Sequence, residues 1–564
     1  MRLLIAIGLF MLSLVLMLLG VAQRTVWAPP SNYSLSVNYE ASNPYVVIPN
    51  STLAIHPGTP KIKAAGPRNV FIATGRESDI TAWVGQSPRT LISANKKKTL
   101  LTATATPGAD PSISPIGADL WRTSAVAEKT ATIDAPVEIG GAALLASDGN
   151  SPAPGSITLI WPIKFDLLPS NLLLGFGLGI LLLALIMNFL SYRSMRRRRG
   201  PRRKVPKAPQ GPRIRLGKQP SMAPPRGRRA ARKIAFAVPA GALVVSLLSG
   251  CAPTTQTPTP TPTPTGVLAD PPVVLQAQLE HILNQVSLAA ADGDSKNNAS
   301  ALAARFAGSA LEQRTAYYSL RKIDTKLAPL PKIAGKPITF VLPAATSLWP
   351  RTIMAVTDQP GAPSPQMLVL VQASPRAQYQ LWYNVRLMQG ATIPSVPVES
   401  IGAIPVASDA KFLKVVPNEL PTTYGSIIDN GAGSLGGSNF SLENDEFFKQ
   451  ISESQDSQVA ALKNGKITFA HTLGSPNVAA LATSDGGALV AVTMIDGYTI
   501  RPTKKGSAIT VTGLERTMLG ASGSATGIVS RYSDMLLFYV PQTGSKDLVR
   551  LLGVTQGLLS VRSR

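Results

Sequence analysis

The sequence predicts a membrane-anchored multidomain protein whose first exported domain is an all-β sandwich and whose second is α+β. Three observations lead there. Three long apolar segments divide the chain, most of the excess positive charge falls between the second and the third, and the two remaining regions differ in hydrophobic period.

Composition sets the limits. Of 564 residues, 45% are hydrophobic and only 15% are charged, against about 25% charged in ordinary soluble domains. That argues against a wholly soluble chain and against a mostly disordered one. The net charge of +24 looks like that of a nucleic-acid binder. However, residues 193–233 hold 17 Lys and Arg with no acid, and elsewhere 38 basic residues face 31 acidic ones. A single cysteine excludes a disulfide framework and a thiolate metal cluster, and His56, His281 and His471 lie too far apart for a local metal motif.

The first apolar segment, residues 3–22, is about 20 residues long and can cross a hydrocarbon core of roughly 30 Å. Signal-peptide cores usually run about 7–15 residues, so 1–24 is expected to be a retained anchor, with a cleaved signal peptide as the alternative. Either exports 25–167. The second segment, a helix at 168–192, has no charge over 172–192 and runs into arginines at 193 and 196–199. This stop-transfer pattern places its end in the cytoplasm. Gly175, Gly177 and Gly179 offer a partner helix close approach. Residues 193–233, with seven prolines and no hydrophobic period, are expected to be a disordered basic cytoplasmic loop lying on anionic membrane lipid. The loop lacks the aromatics or folded motif that nucleic-acid binding requires, so no nucleic-acid partner is expected.

The third segment, 234–248, contains Pro239 and is short for a span but right for a signal-peptide core. Arg226, Arg228, Arg229, Arg232 and Lys233 precede it, and Leu248-Ser249-Gly250-Cys251 follows. This arrangement resembles the lipobox of bacterial lipoproteins, in which an aliphatic residue and two small ones precede a cysteine that is diacylated before cleavage. The resemblance makes Cys251 the lipidation site, and two acyl chains satisfy the requirement for stable anchoring. Residues 234–251 are then a lipoprotein-type signal, or otherwise a third span. The Thr/Pro run that follows, within 252–266, favours polyproline II and reads as a stalk.

In 25–167, short β-rich runs recur at 33–39, 45–48, 52–55, 69–74, 79–85, 100–103, 130–133, 142–146 and 156–161, separated by turn residues. That spacing predicts the sandwich. The stretch at 75–85 is expected to be a loop leading into a strand. Arg76, Glu77 and Asp79 are either a polar recognition site or a satisfied turn that aims Trp83 into the core. Ser147-Asp148-Gly149 reads as a hairpin turn.

In 267–564 the period changes. Leu275, Leu279, Ile282, Leu283 and Val286 follow helical spacing, a second helical stretch covers 301–322, and strands follow at 338–342, 353–356, 367–372 and 380–388. The order recurs with a helix at 443–462 before strands at 467–471, 488–494, 509–513, 527–531 and 535–540. Two α+β repeats, 267–416 and 417–564, are expected. Their order and size resemble the cone-shaped domains of the nuclear transport factor 2-like superfold, with helices on a curved antiparallel sheet.

Taken together, the chain resembles uncharacterised actinobacterial envelope membrane proteins fused to a lipoprotein domain. These carry a G-R-x-x-D-x-x-A-W-x-G segment, here Gly75, Arg76, Asp79, Ala82, Trp83 and Gly85, and a G-x-A-L-x-x-R element, here Gly308, Ala310, Leu311 and Arg314. The resemblance implies a surface-anchored envelope protein and carries no catalytic residue across.

Catalytic patterns fail on inspection. The G-x-G-x-x-G at 431–436 runs into more Gly and Ser where a dinucleotide fingerprint needs a helix start. Ser93…Lys96 and Ser319…Lys322 match S-x-x-K without the K-[ST]-G partner. Asp292 and Asp294 open a calcium-like loop in which Lys296 and Ala303 replace ligands. No catalytic residue, metal or cofactor is therefore assigned. Glu515, Arg516, Arg531 and Asp534 are the candidate polar pocket. The expected function is that of a non-enzymatic envelope scaffold or binding module, with membrane lipid and other envelope proteins or glycans as partners. The alternatives are a ligand-binding or enzymatic pocket in the last domain, and a transmembrane regulator.

Overall fold

The computed structural model describes residues 2–28, 30–135, 140–163, 167–198, 271–359, 361–362, 364–474 and 478–564. The expected lipobox at Leu248, Ser249, Gly250 and Cys251, the expected third apolar segment at 234–248, the expected basic loop beyond 198 and the expected Thr/Pro stalk lie outside the described residues. The chain divides into two compact units, one containing the two apolar helices and the other containing 30–165 together with 268–564.

In chain order the elements begin with α1 (Arg2–Ala22), β1 (Asn32–Asn38), β2 (Tyr45–Ile48), α2 (Asn50–Leu53), β3 (Lys61–Arg76), α3 (Glu77–Val84), β4 (Arg89–Ala94), β5 (Leu101–Thr106), β6 (Thr123–Asp134), β7 (Gly141–Ala146), β8 (Ser156–Pro162) and α4 (Leu168–Arg198). The helical unit is built from α1 and α4, both long and apolar enough to cross a membrane. They meet through small residues. A Cβ on Gly177 would lie 2.7 Å from the Met17 side chain, and one on Gly20 would lie 2.8 Å from Leu174. Of the three glycines singled out in the second segment, only Gly177 makes this approach, and Gly175 and Gly179 face open space. Arg24, just past α1, donates to Ser170 Oγ at 2.9 Å and to Asn171.

The strands of 30–163 do not form two face-packed sheets. They form one mixed eight-stranded sheet in the order β1-β8-β3-β7-β2-β4-β5, with β6 on β3, and only β2 and β4 pair in parallel. Its ends β1 and β5 approach each other, so the sheet is barrel-like and nearly closed. The sandwich expectation fails because β3 is a single 16-residue strand that pairs with β8 over 61–65 and with β7 over 71–76. An irregularity between Ala65 and Asn69 bends it, so hydrogen bonding passes from one half of the sheet to the other without a break. Ile48, Ile62, Ile72, Leu145, Leu159 and Trp161 fill the interior. The opposite faces of β2, β3 and β7 are also covered, which explains why these strands read as continuous apolar runs instead of alternating.

Two segments expected as strands are helical. Residues 52–55 fall in and after α2, and 79–85 is largely α3. In α3 the spacing of Ile80, Trp83 and Val84 places all three on one buried face, and Glu77 and Asp79 in its first turn favour the N-terminal dipole. Over so short a stretch, helical and alternating periods are hard to tell apart.

The remaining elements are α5 (Gln276–Lys296), α6 (Gly308–Ile323), β9 (Ile338–Pro343), β10 (Arg351–Thr357), β11 (Gln366–Gln372), β12 (Gln380–Arg386), α7 (Leu420–Asn430), α8 (Glu446–Ala461), β13 (Gly465–Leu473), β14 (Ala479–Ala482), β15 (Ala488–Pro502), β16 (Ile509–Thr510), α9 (Gly513–Leu519), β17 (Gly523–Ser524), β18 (Ile528–Val540) and β19 (Arg550–Ser563). Helices precede antiparallel strands twice. The first sheet runs β12-β11-β10-β9 and the second β13-β15-β18-β19, with β14 on β15. The second sheet is buried on both faces. Leu489, Met535 and Leu537 join the core beneath the first block, and Val490, Leu536 and Phe538 pack under Tyr424 and Ile427 of α7. The strands expected at 527–531 and 535–540 are one strand, β18, and the polar residues between them continue it.

Candidate functional site

Two arrangements of polar side chains stand out, a charged seam and a polar cleft. The seam joins the barrel-like domain to the first α+β block. Asp79, in the first turn of α3, accepts from Arg76 Nε at 2.9 Å and from Arg351 Nη2 at 2.7 Å. Arg351 is fully buried at the start of β10 and stacks over Trp349, 3.7 Å from the ring centroid. Arg76 also donates to the Pro271 carbonyl at 3.2 Å. A second pair lies alongside. Arg305 grips both oxygens of Asp119, at 2.6 and 3.1 Å, and the Tyr379 backbone N–H donates to the same carboxylate at 2.7 Å. Bidentate geometry with an added backbone donor is what makes a buried pair tolerable. Arg376 completes the seam by donating to the carbonyls of Trp83 at 2.8 Å and Val84 at 3.0 Å, at the C-terminal end of α3.

Of the expected recognition loop, Arg76 and Asp79 therefore face another part of the same chain. Glu77 serves its own domain by accepting from the Asn50 backbone N–H at 3.0 Å. Trp83 is fully buried. Asp119, Arg305, Arg351 and Arg376 were not legible as a set because they are scattered over some 260 residues of sequence.

The G-x-A-L-x-x-R element binds the two α+β blocks to each other. Gln313 donates to the carbonyls of Ser533 at 2.7 Å and Thr555 at 3.1 Å, and Ser309 pairs with Thr493. Arg314 turns back to Asp294 within its own block.

The polar cleft lies in the second block, between α8, the sheet and the β16–α9 segment, with a volume of about 780 Å³. Asp496 and Tyr498 of β15, Tyr532 of β18, Gln556 of β19 and Glu515 of α9 line it. The hydroxyls of Tyr498 and Tyr532 both donate to Glu515 Oε1, the latter at 2.9 Å. Burial and the adjacent Glu515 carboxylate raise both phenols well above their ordinary range. Behind this wall sits His471 of β13, register partner of Asp496. Its Nδ1 is 2.8 Å from Asp429 and its Nε2 3.3 Å from Asp496. Burial opposes its charge, but the two carboxylates outweigh burial and hold its pKa at about 9. Asp534 is fully buried beyond Asp496, and burial together with that neighbouring charge pushes its pKa up to about 8. Tight helix packing makes this cluster possible, because a Cβ on Gly425 of α7 would lie 2.2 Å from the His471 Cβ.

Of the four residues expected to form a pocket, Glu515 lines the cleft and Asp534 lies beside its wall. Arg516 and Arg531 are exposed and do not line it. The sequence reading missed Asp429, His471 and Asp496. The available signal was polar residues inside apolar strands, Asp496 after the 488–495 run and Ser533-Asp534 within β18. The glycine motif at 431–436 follows helix α7, where the dinucleotide fingerprint requires a strand. Among the described residues no group of acidic, His or Cys side chains has the arrangement of a metal site.

No curated protein and no solved structure matches this chain. Residues 271–563, just over half of the length, match the family model described as a domain of unknown function, DUF8094, and the chain belongs to that family.

Proposed function

We propose that this chain is a non-enzymatic scaffold of the cell envelope, anchored in the membrane by α1 and α4, with its folded domains on the extracytoplasmic face. The observation that carries the proposal is the seam. In chain order 30–165 lies between two apolar helices, and 268–564 is fastened to it by buried Arg–Asp pairs. Two domains fastened in this way share one side of the membrane, so the chain returns to that side after α4. A crossing at 234–248, retained as a third span or cleaved as a signal ahead of a lipidated Cys251, accomplishes this. The strongest polar constellations of the first domain are engaged in architecture, which favours a scaffold over an enzyme. The helix-then-sheet order of 267–416 and 417–564 also fits a tandem of cone-shaped units.

A cysteine placed at the exposed position Asn150 or Lys504, with the unsubstituted chain labelled in parallel to account for the native Cys251, tests the arrangement. In intact cells both N150C and K504C are expected to react with a membrane-impermeant maleimide. Reaction of K504C only after permeabilisation would put the two domains on opposite sides and overturn the proposal.

A further inference from the structure

We propose that the cleft beneath α8 is a binding site for a neutral, hydroxyl-rich chain, a short run of sugar units. This deepens the scaffold reading by naming the ligand class of one of its domains, and rests on that reading only for where such a ligand would be met.

Shape, hydrogen bonding and charge all favour this class. The cleft follows α8 from Ile451 to its end at Ala461, roughly 15 Å at the helical rise of about 1.5 Å per residue. A trough of that length suits several linked rings better than one compact metabolite. Its walls offer amides and phenols. The Gln455 side-chain amide nitrogen is buried against the cleft with no hydrogen-bond partner, a donor awaiting an acceptor. Gln458 and Gln556 line the same space. Phe469 and Tyr498, with ring centroids 6.3 Å apart, supply apolar surface for the C–H faces of a sugar.

Charge separates this ligand from its competitors. Two carboxylates, Asp496 and Glu515, stand against one lining cation, the exposed Lys463, so the lining as a whole disfavours an anion. Both are already engaged, Asp496 beside the imidazole of His471 and Glu515 by two phenol hydroxyls. A cation would therefore compete with donors in place, whereas a hydroxyl can add to the remaining lone pairs of each carboxylate.

The test uses the full-length chain in an amine-oxide detergent, which carries no sugar of its own. Saturation-transfer NMR and titration would be run with xylotetraose, cellotetraose and maltotetraose as neutral probes, tetragalacturonate as the acidic control and spermidine as the cationic one. At least one neutral tetrasaccharide is expected to bind. Gln455→Ala and Tyr498→Ala should each weaken it at least fivefold, with the thermal midpoint checked to show that the variants fold. Gln455→Glu, which keeps the size of the side chain but removes the donor, should weaken it similarly. Absence of binding by all three neutral probes, preference for tetragalacturonate or spermidine, or affinity unchanged in all three variants would each overturn the assignment. Because the readout is made outside cells, it is independent of the labelling experiment that tests membrane placement.

Discussion

Asp534 sits in the middle of a strand where an apolar residue would ordinarily be expected, fully buried and next to Asp496. An acid whose folded pKa is raised to about 8 binds a proton in the native state that the unfolded chain releases near pH 4. Stability at this position is therefore greatest at acidic pH and declines as pH rises towards 8. His471, raised to about 9, has the same sign: its contribution is complete below its unfolded pKa of about 6.5 and is lost as pH passes 9. Replacement of Asp534 by Asn keeps the shape and removes the titration. Asp534→Asn is expected to raise the thermal midpoint at pH 8 by several degrees, with the gain shrinking towards zero at pH 4. Melting curves at pH 4, 6 and 8 measure this, and a gain that is the same at all three would refute it. The sequence singles out Asp534 as a pocket candidate, although the strands it predicts at 527–531 and 535–540 stop on either side of it. Its partners His471 and Asp496 were not recognisable, because they come together only when β13, β15 and β18 are laid in register.

Among the elements, α3 shows why a local motif was legible and its role was not. The G-R-x-x-D-x-x-A-W-x-G pattern drew attention from the sequence, and its tryptophan was expected in the core, where it lies. Beyond their own pair, the partners of Arg76 and Asp79 lie nearly 200 and more than 270 positions away. Similar logic applies to Asp119, which holds both Arg305 and the Tyr379 backbone. Removing one member of a buried pair leaves the other charge without compensation, at a cost of about 3–5 kcal/mol, whereas replacing both by apolar residues is often close to neutral. Asp119→Ala is therefore expected to destabilise the chain by about that amount, and Asp119→Leu combined with Arg305→Met by clearly less. Denaturant titration of the two variants decides it, and equal destabilisation would show that hydrogen bonding to Tyr379 outweighs the charge pair.

At the scale of the molecule, the two long apolar helices were legible in the sequence, because an uncharged run of about 20 residues can be interpreted by local physics alone. The sequence did not reveal that two regions separated by 102 residues, 30–165 and 268–564, form a single compact unit. That unit has a consequence for processing. If the seam holds the domains together, the peptide link between them is dispensable once both have folded, and cleavage before Cys251 would leave a two-chain complex. A protease recognition sequence inserted at 254–265, cut in isolated membranes before mild detergent extraction, tests this directly. The fragment containing 268–564 is expected to co-purify with the fragment containing α1 and α4. Arg305→Ala with Arg351→Ala, which leaves Asp119 and Asp79 without their partners across the seam, is expected to release it. Separation of the unmodified fragments under the same conditions would mean that the covalent link, and not the buried charge pairs, keeps the two domains together.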